Sequence, residues 1–188
     1  MTEDATFADR VARFEKFARE DRLVQHRWRG KRDGHEIACA IGAMYGVNDV
    51  SDCPADDMPA WLKHLSVTLF DSLPMGENIA AQRAINAQAL RIGANAEAWA
   101  RIEVRFKIVC VRRAIAAAEP VAKDKDYWPA VTQAAQQVCD ALEGRGDLAA
   151  AWAAWAAWAA AWAAARTAAY RDLHADLIAA MQVEGVQP

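Results

Sequence analysis

The sequence lacks the short motifs that mark many nucleotide-binding sites and enzyme active sites. It has no GxxxxGKS/T loop, no GxGxxG loop, no HExxH helix and no GxSxG nucleophile elbow. Each of these motifs holds the groups that perform a particular chemistry in a fixed geometry. Their absence favours a binding protein over an enzyme, so we predict no catalytic residue and no cofactor.

Cysteine is scarce and is not spaced for a disulfide framework or a common zinc site. The chain has four cysteines without paired spacing: Cys39, Cys53, Cys110 and Cys139. We expect reduced, mostly buried thiols in a cytoplasmic protein. A zinc site would need a set of nonstandard spacing, namely His35, Cys39, Cys53 and His64. It is a minor alternative, and we predict no metal.

Signals for export or membrane insertion are also missing. Met1–Arg10 has no basic region followed by an apolar core. The alanine-rich run near the C-terminus is apolar by count, but Asp147, Arg166 and Arg171 bracket it closely and alanine inserts weakly into membranes. The net charge of −3 gives no global attraction to nucleic acid or membrane. We expect a cytoplasmic protein without a membrane partner.

The most conspicuous segment present is rich in alanine and tryptophan. Between Asp147 and about Val183, four tryptophans stand in almost unbroken alanine: Trp152, Trp155, Trp158 and Trp162. High helix propensity predicts one helix of about 35 residues, roughly 50 Å long. The four indoles fall on one stripe, which we interpret as core; a ligand wall or a homodimer seam are the alternatives. Arg166 lies inside the same stripe.

Helical periodicity, together with capping residues and with glycines and prolines that end helices, predicts six helices before this segment. They are a helix capped by Thr6 that runs to about Asp21, His35–Tyr45, a helix from Asp57–Pro59 to just before Pro74, Asn78–Ile92, Ala96–Ala118 stopped by Pro120, and Pro129–Leu142. No convincing strand is found. The sequence therefore predicts an all-α, single-domain bundle of about seven helices, in which residues 1–146 form a helical core and 147–183 a long helix packed on it. The helix His35–Tyr45, bulky on one side and small on the other, is expected to be central.

Basic residues are concentrated in two places despite the acidic net charge. On the fifth helix, Arg101, Arg105 and Arg112 lie within about 40° of one another between two apolar sides, so we expect them to face an anion or a row of acids. The acids considered as internal partners are Asp52, Asp56, Asp57 and Glu103.

The second basic place is the segment Arg27–Gly34. Its basic and aromatic members are Arg27, Trp28, Arg29, Lys31 and Arg32. Because it precedes the expected helix start at His35, it predicts a phosphate cradle at a helix N-terminus, with Trp28 available to stack on a base. A solvated basic turn is the alternative.

Part of the chain resembles a known group of proteins. The Trp28–Pro74 segment, with its RGKRDG lead, the CAIGAMYG helix and the CPADDMPAWL stretch, followed by an alanine-rich repeat tail, resembles uncharacterised small helical proteins encoded by bacteriophages and proteobacterial prophages. The resemblance implies a context in the host cell cytoplasm, where small accessory phage proteins often act against host defence. It implies no site residues.

These observations lead to three hypotheses. The first is a non-enzymatic, phage-encoded inhibitor of host defence that holds an anionic nucleotide-like ligand between the Arg27–Gly34 turn and the arginine row of the fifth helix. The second is an interaction module that binds an acidic host-protein surface or forms a homodimer. The third and weakest is a hydrolase that uses His35 and Cys39, expected at i, i+4 on one helix face.

Overall fold

A computed structural model describes residues 5–54, 58–125, 128–147 and 166–184; within α-helices, the side chains of 121, 166–173 and 184 are also left out. Over these ranges the chain forms seven α-helices and one two-stranded sheet. In chain order they are α1 (Phe7–Arg19), β1 (Arg29–Arg32), β2 (His35–Ala38), α2 (Ala40–Tyr45), a 3₁₀ turn (Val50–Asp52), α3 (Ala60–Ser72), α4 (Glu77–Ile92), α5 (Ala96–Ala122), α6 (Trp128–Leu142) and α7 (Arg166–Glu184). The predicted all-α character is thus confirmed in outline. No helix in these ranges has both the length and the apolar character needed to cross a membrane.

The sheet corrects the prediction that the chain has no strand and that a helix starts at His35. β1 and β2 pair antiparallel around a two-residue turn, in which Asp33 and Gly34 have φ angles of 53° and 80°. Two successive positive φ angles are the signature of a type I′ turn, whose twist matches a β-hairpin. The helix α2 begins only at Ala40, where Cys39 is the N-cap and its Sγ accepts from the Gly42 N–H.

Local signals at several helix ends agree with the prediction. Thr6 and Asp9 form a capping box at the start of α1, and the Asn95 side chain accepts from the Ala98 N–H at the start of α5. Pro120 was wrongly expected to stop α5. The helix runs past it to Ala122, so Pro120 lies inside the last turn.

The C-terminal region differs from the predicted single long helix. The organisation of the fold on one helix from Asp147 to Val183 is not supported, because the C-terminal helix is the shorter α7. The four tryptophans of the predicted stripe lie outside the described residues.

The chain divides into two compact units. The first comprises Met1–Trp99 with Met181–Pro188, and the second comprises Ala100–Ala180. In the first unit, all six residues of α2 are buried, and the helix contacts α1, α3 and β2. This confirms the prediction of a central helix. α4 packs on α3 and on α1, and there Arg83 holds Glu15 through Nε at 3.0 Å and Nη2 at 2.8 Å.

The second unit has its own apolar cluster. Ile108 and Val111 of α5 pack with Val138, Cys139 and Ala141 of α6. In the same unit, the Arg113 guanidinium forms a two-point ion pair with the Asp176 carboxylate of α7, with Nη2 2.8 Å from Oδ1. Residues from three helices therefore contribute to its packing and ion pairing.

The hairpin approaches α2 so closely that only glycine fits at one position. A Cβ on Gly42 would lie 2.0 Å from the Trp28 carbonyl oxygen, which is far inside van der Waals contact. The approach is fixed from both sides, because the Cys39 N–H donates to the Arg27 carbonyl at 2.9 Å. The backbone entering the hairpin is thereby held against the start of the central helix.

We expect Gly42→Ala to lower the free energy of unfolding by more than about 2 kcal/mol, because the obstacle is backbone that cannot move aside cheaply. Gly30→Ala is the matched control: there the nearest atoms belong to the exposed Arg27 side chain, at 3.0 Å, which can rotate away. Urea denaturation of both variants measures the difference. Equal stabilities of the two variants would contradict the close approach.

Candidate functional site

The basic segment predicted from the sequence forms the β-hairpin and its approach. Arg29, Lys31 and Arg32 lie on β1, whereas Arg27 and Trp28 precede it. The expected cradle at a helix N-terminus is wrong, because the residue after the turn begins a strand and not a helix. The segment is a charged ribbon, and the position of each cation depends on the strand pairing.

The pairing divides the basic residues between the two faces of the hairpin. Arg32 is opposite His35, and Gly30 is opposite Ile37; side chains alternate along a strand, so these four share one face. Arg29 and Lys31 belong to the other face, where Lys31 is opposite Glu36. The predicted basic residues therefore do not act as one group.

The first face borders an open cleft of about 460 Å³. The cleft is lined by residues of the hairpin and of the segment that follows α1: Glu20, Arg22, Arg32, Asp33, His35 and Ile37. Two guanidinium groups, one imidazole and two carboxylates thus surround an apolar side chain. A volume of this size falls within the range of small-molecule sites.

The two cleft arginines are held by the end of α1. Arg22 Nη1 lies 2.7 Å from the Glu20 carboxylate, and its guanidinium stacks over the Phe17 ring at 4.0 Å. Arg32 donates to the carbonyl of Asp21 and lies 3.4 Å from its carboxylate. Because these contacts fix both side chains, each guanidinium is oriented before any ligand arrives.

On the second face, one carboxylate forms ion pairs with three arginines. Glu36 lies 2.7 Å from Arg29, 3.4 Å from Arg13 and 3.9 Å from Arg22. Partial burial raises the pKa of Glu36, but the hydrogen bond from Arg29 and the charges of Arg29, Arg13 and Arg22 together hold that pKa below its ordinary value. The Glu36 carboxylate is therefore favoured in its charged form beside three guanidinium groups.

Sequence reasoning did not find Arg13, Arg22 or Glu36 as members of this site. Arg13 belongs to α1 and Arg22 to the link after it, so only the folded chain brings them to the hairpin. A partial signal was present: Arg13 and Phe17 are four residues apart on α1, and the guanidinium does lie 5.4 Å from that ring.

The remaining predicted residues of the hairpin have different surroundings. The side chains of Arg27 and Lys31 are exposed and make no hydrogen bond or ion pair with the part of the chain that the structure describes. Trp28 is half-buried, and its carbonyl is the atom that faces Gly42. Stacking of a base on Trp28 stays a prediction.

The arginine row of α5 belongs to the second unit. Arg101, Arg105 and Arg112 are all exposed, although the sequence predicted a row too crowded by apolar neighbours to be left in water. The long arginine stem covers apolar surface while its charged end reaches solvent, which accounts for the difference. Glu103, one of the acids considered, pairs instead with Lys107 at 2.6 Å. Asp176, the partner of Arg113, was not foreseen.

The predicted residues therefore fall into three groups. The Arg27–Gly34 segment belongs to the first unit and the α5 row to the second, so a site shared by both stays a prediction. Asp56 and Asp57 are outside the described residues, and so is the side chain of Arg166. An acidic protein surface or a second copy of the chain as partner of the α5 row also stays a prediction.

The predicted pairing of His35 and Cys39 on one helix face is wrong. His35 lies exposed on β2, whereas Cys39 is buried at the N-cap of α2. Burial raises the pKa of the Cys39 thiol to about 11, so the nucleophilic thiolate is scarce at neutral pH. The described ranges contain no cluster of three or more histidine, cysteine or acidic side chains placed to hold a metal ion.

Comparison with known proteins adds no further assignment: no family model, curated protein or solved structure matches the chain.

We expect Glu36→Gln to lower the free energy of unfolding by roughly 1–2 kcal/mol at neutral pH, because three arginines lose their shared carboxylate. The pKa of Glu36 is lower in the folded protein, so its contribution is present above the unfolded value of about 4.3 and is lost as pH falls through the folded pKa. Urea denaturation from pH 7 to pH 3 should therefore show a shallower acid decline in the variant.

Glu20→Gln is the control for this experiment, since Glu20 is exposed and, among the described residues, forms an ion pair with Arg22 alone. An exposed ion pair contributes little to stability because solvent screens it. Should both variants lose the same stability with the same pH dependence, the three-arginine cluster around Glu36 does not behave as the geometry indicates.

We also expect native Cys39 to resist alkylation by iodoacetamide at pH 8, because its thiol is buried and its pKa is raised to about 11. Mass spectrometry of peptides after a timed reaction measures the modification. Full labelling in urea is the control for reagent activity. Labelling of native Cys39 at the rate of an exposed cysteine would contradict the placement of this side chain.

Proposed function

We propose that this chain is a non-enzymatic binding protein that captures an anionic, nucleotide-like ligand in the cleft beside the β-hairpin. The observation that carries the proposal is the presence of Arg22 and Arg32 in the lining of one cleft of about 460 Å³. Guanidinium groups bind phosphate through two parallel N–H groups, and this suits them to a phosphorylated small molecule.

Preorganisation supports capture at this place. Arg22 is held by Phe17 and Glu20, and Arg32 is held by Asp21. A ligand that meets fixed side chains loses less free energy to ordering them than one that meets mobile side chains. The exposed Arg27 and Lys31 are close in sequence to Arg32 and add positive charge that attracts anions from solution.

The composition of the cleft fits a nucleotide better than a bare inorganic anion. Ile37 supplies an apolar surface, and His35 supplies a flat ring with hydrogen-bonding nitrogens. A sugar and a base need such surfaces, whereas inorganic phosphate does not. In the phage context implied by the sequence resemblance, tight capture would sequester a nucleotide signal used by host defence.

Thermal unfolding with and without millimolar nucleoside 5′-monophosphates tests the proposal. A bound ligand stabilises the folded protein by RT ln(1+[L]/Kd), which is about 2.7 kcal/mol at a ligand concentration of 100 Kd, so the melting temperature should rise. Arg32→Ala should abolish the rise, because it removes one of the two phosphate-binding groups.

Arg91→Ala is the matched control, since it removes one positive charge from an exposed position of α4 in the same unit, outside the cleft lining. It should keep the full rise in melting temperature. The proposal fails if no nucleotide shifts the wild-type protein, or if Arg32→Ala shifts as much as Arg91→Ala does.

A further inference from the structure

The cleft contains carboxylates as well as guanidinium groups, and this restricts the kind of ligand that it takes. Glu20 and Asp33 line the same space as Arg22 and Arg32. A ligand that is anionic throughout would bring negative charge against these carboxylates. The matching ligand therefore carries an anionic group at one part and hydrogen-bond donors at another. This inference rests on the proposed function and names the ligand class.

The two carboxylates differ in their availability. Glu20 is paired with Arg22, whose Nη1 lies 2.7 Å from one oxygen of the carboxylate. Asp33 is exposed at the hairpin turn and makes no hydrogen bond or ion pair with the residues that the structure describes. Arg22 and Arg32 are both tied to residues at the end of α1, whereas Asp33 is at the hairpin tip. The cleft lining thus offers two guanidinium groups tied to the end of α1 and, in Asp33, one carboxylate without an ion pair among the described residues.

An ionised carboxylate accepts two parallel N–H groups from a planar donor edge. Among the common nucleobases, guanine alone presents two adjacent donors, N1–H and the N2 amino group. Adenine and cytosine place a ring acceptor next to their amino group, and uracil flanks its single N–H with two carbonyls. Each of these three would direct an acceptor lone pair at a carboxylate oxygen.

We infer that the cleft binds a guanine nucleotide, with the Asp33 carboxylate accepting from N1–H and the N2 amino group and with Arg22 and Arg32 holding the phosphate. Nothing is oxidised, reduced or transferred in this step. A bidentate contact of this kind commonly changes affinity by about tenfold or more between a matching and a non-matching base.

Isothermal titration of the full chain with GMP, IMP and AMP tests the inference. GMP should bind at least about tenfold more tightly than AMP. IMP keeps N1–H but lacks the N2 amino group, so its affinity should fall between the other two. Equal affinities for GMP and AMP would overturn the inference and leave the proposed function standing, whereas a failure of all three to bind would overturn both.

Asp33→Asn tests the same contact from the side of the protein. Asparagine tolerates the left-handed conformation of this residue, so the turn is kept, but its amide offers one acceptor and one donor in place of two acceptors. The variant should lose the preference for GMP over AMP while Arg91→Ala retains it. If Asp33→Asn keeps the full preference for GMP over AMP, the Asp33 carboxylate does not distinguish the bases. The comparison of GMP with IMP on the wild-type chain decides the question even if the variant is poorly folded.

Discussion

The carboxylate of Glu36 is the point at which three separate parts of the chain meet. It attracts Arg13 from α1, Arg22 from the link after α1 and Arg29 from β1. Without a negative charge among them, these guanidinium groups would repel one another in a partly buried place where water screens poorly. The Glu36 carboxylate therefore stabilises the packing of the hairpin against α1 and the segment that follows it.

The second constraint on the hairpin is steric. The carbonyl of Trp28 lies against Gly42, and the N–H of Cys39 donates to Arg27. The electrostatic contact orients the ribbon towards α1, and the close backbone approach fixes its root on α2. Together they place Arg32 next to the end of α1, where Asp21 holds it.

The helices of this protein could be predicted from the sequence because their signals are local. Thr6 and Asn95 cap helices, and Gly93 ends one with a positive φ angle of 60°. The hairpin was not predicted, because each strand has only four residues and three of the four residues of β1 are charged. Such strands show no apolar alternation, and part of what holds them is contact with α1, which lies outside the hairpin sequence.

The positively charged segment of the candidate site was predictable from the sequence, but the spatial arrangement of its side chains was not. The segment from Arg27 to Arg32 stands out by composition. Its division between two faces depends on the strand pairing, and the roles of Arg22 and Glu36 depend on which elements pack together. Exposure of the α5 arginines also could not be deduced from angular position alone, because flexible side chains reach water from a partly apolar helix surface.

The two-residue turn at Asp33–Gly34 has a consequence for the chemistry of the cleft. Successive strand residues point to opposite faces, so lengthening the turn by one residue would shift the alternation of one strand against the other. Lys31 would then take the place of Arg32 beside the end of α1, and a compact ammonium would replace a planar fork. The identity of the cation beside the end of α1 therefore depends on the length of this turn.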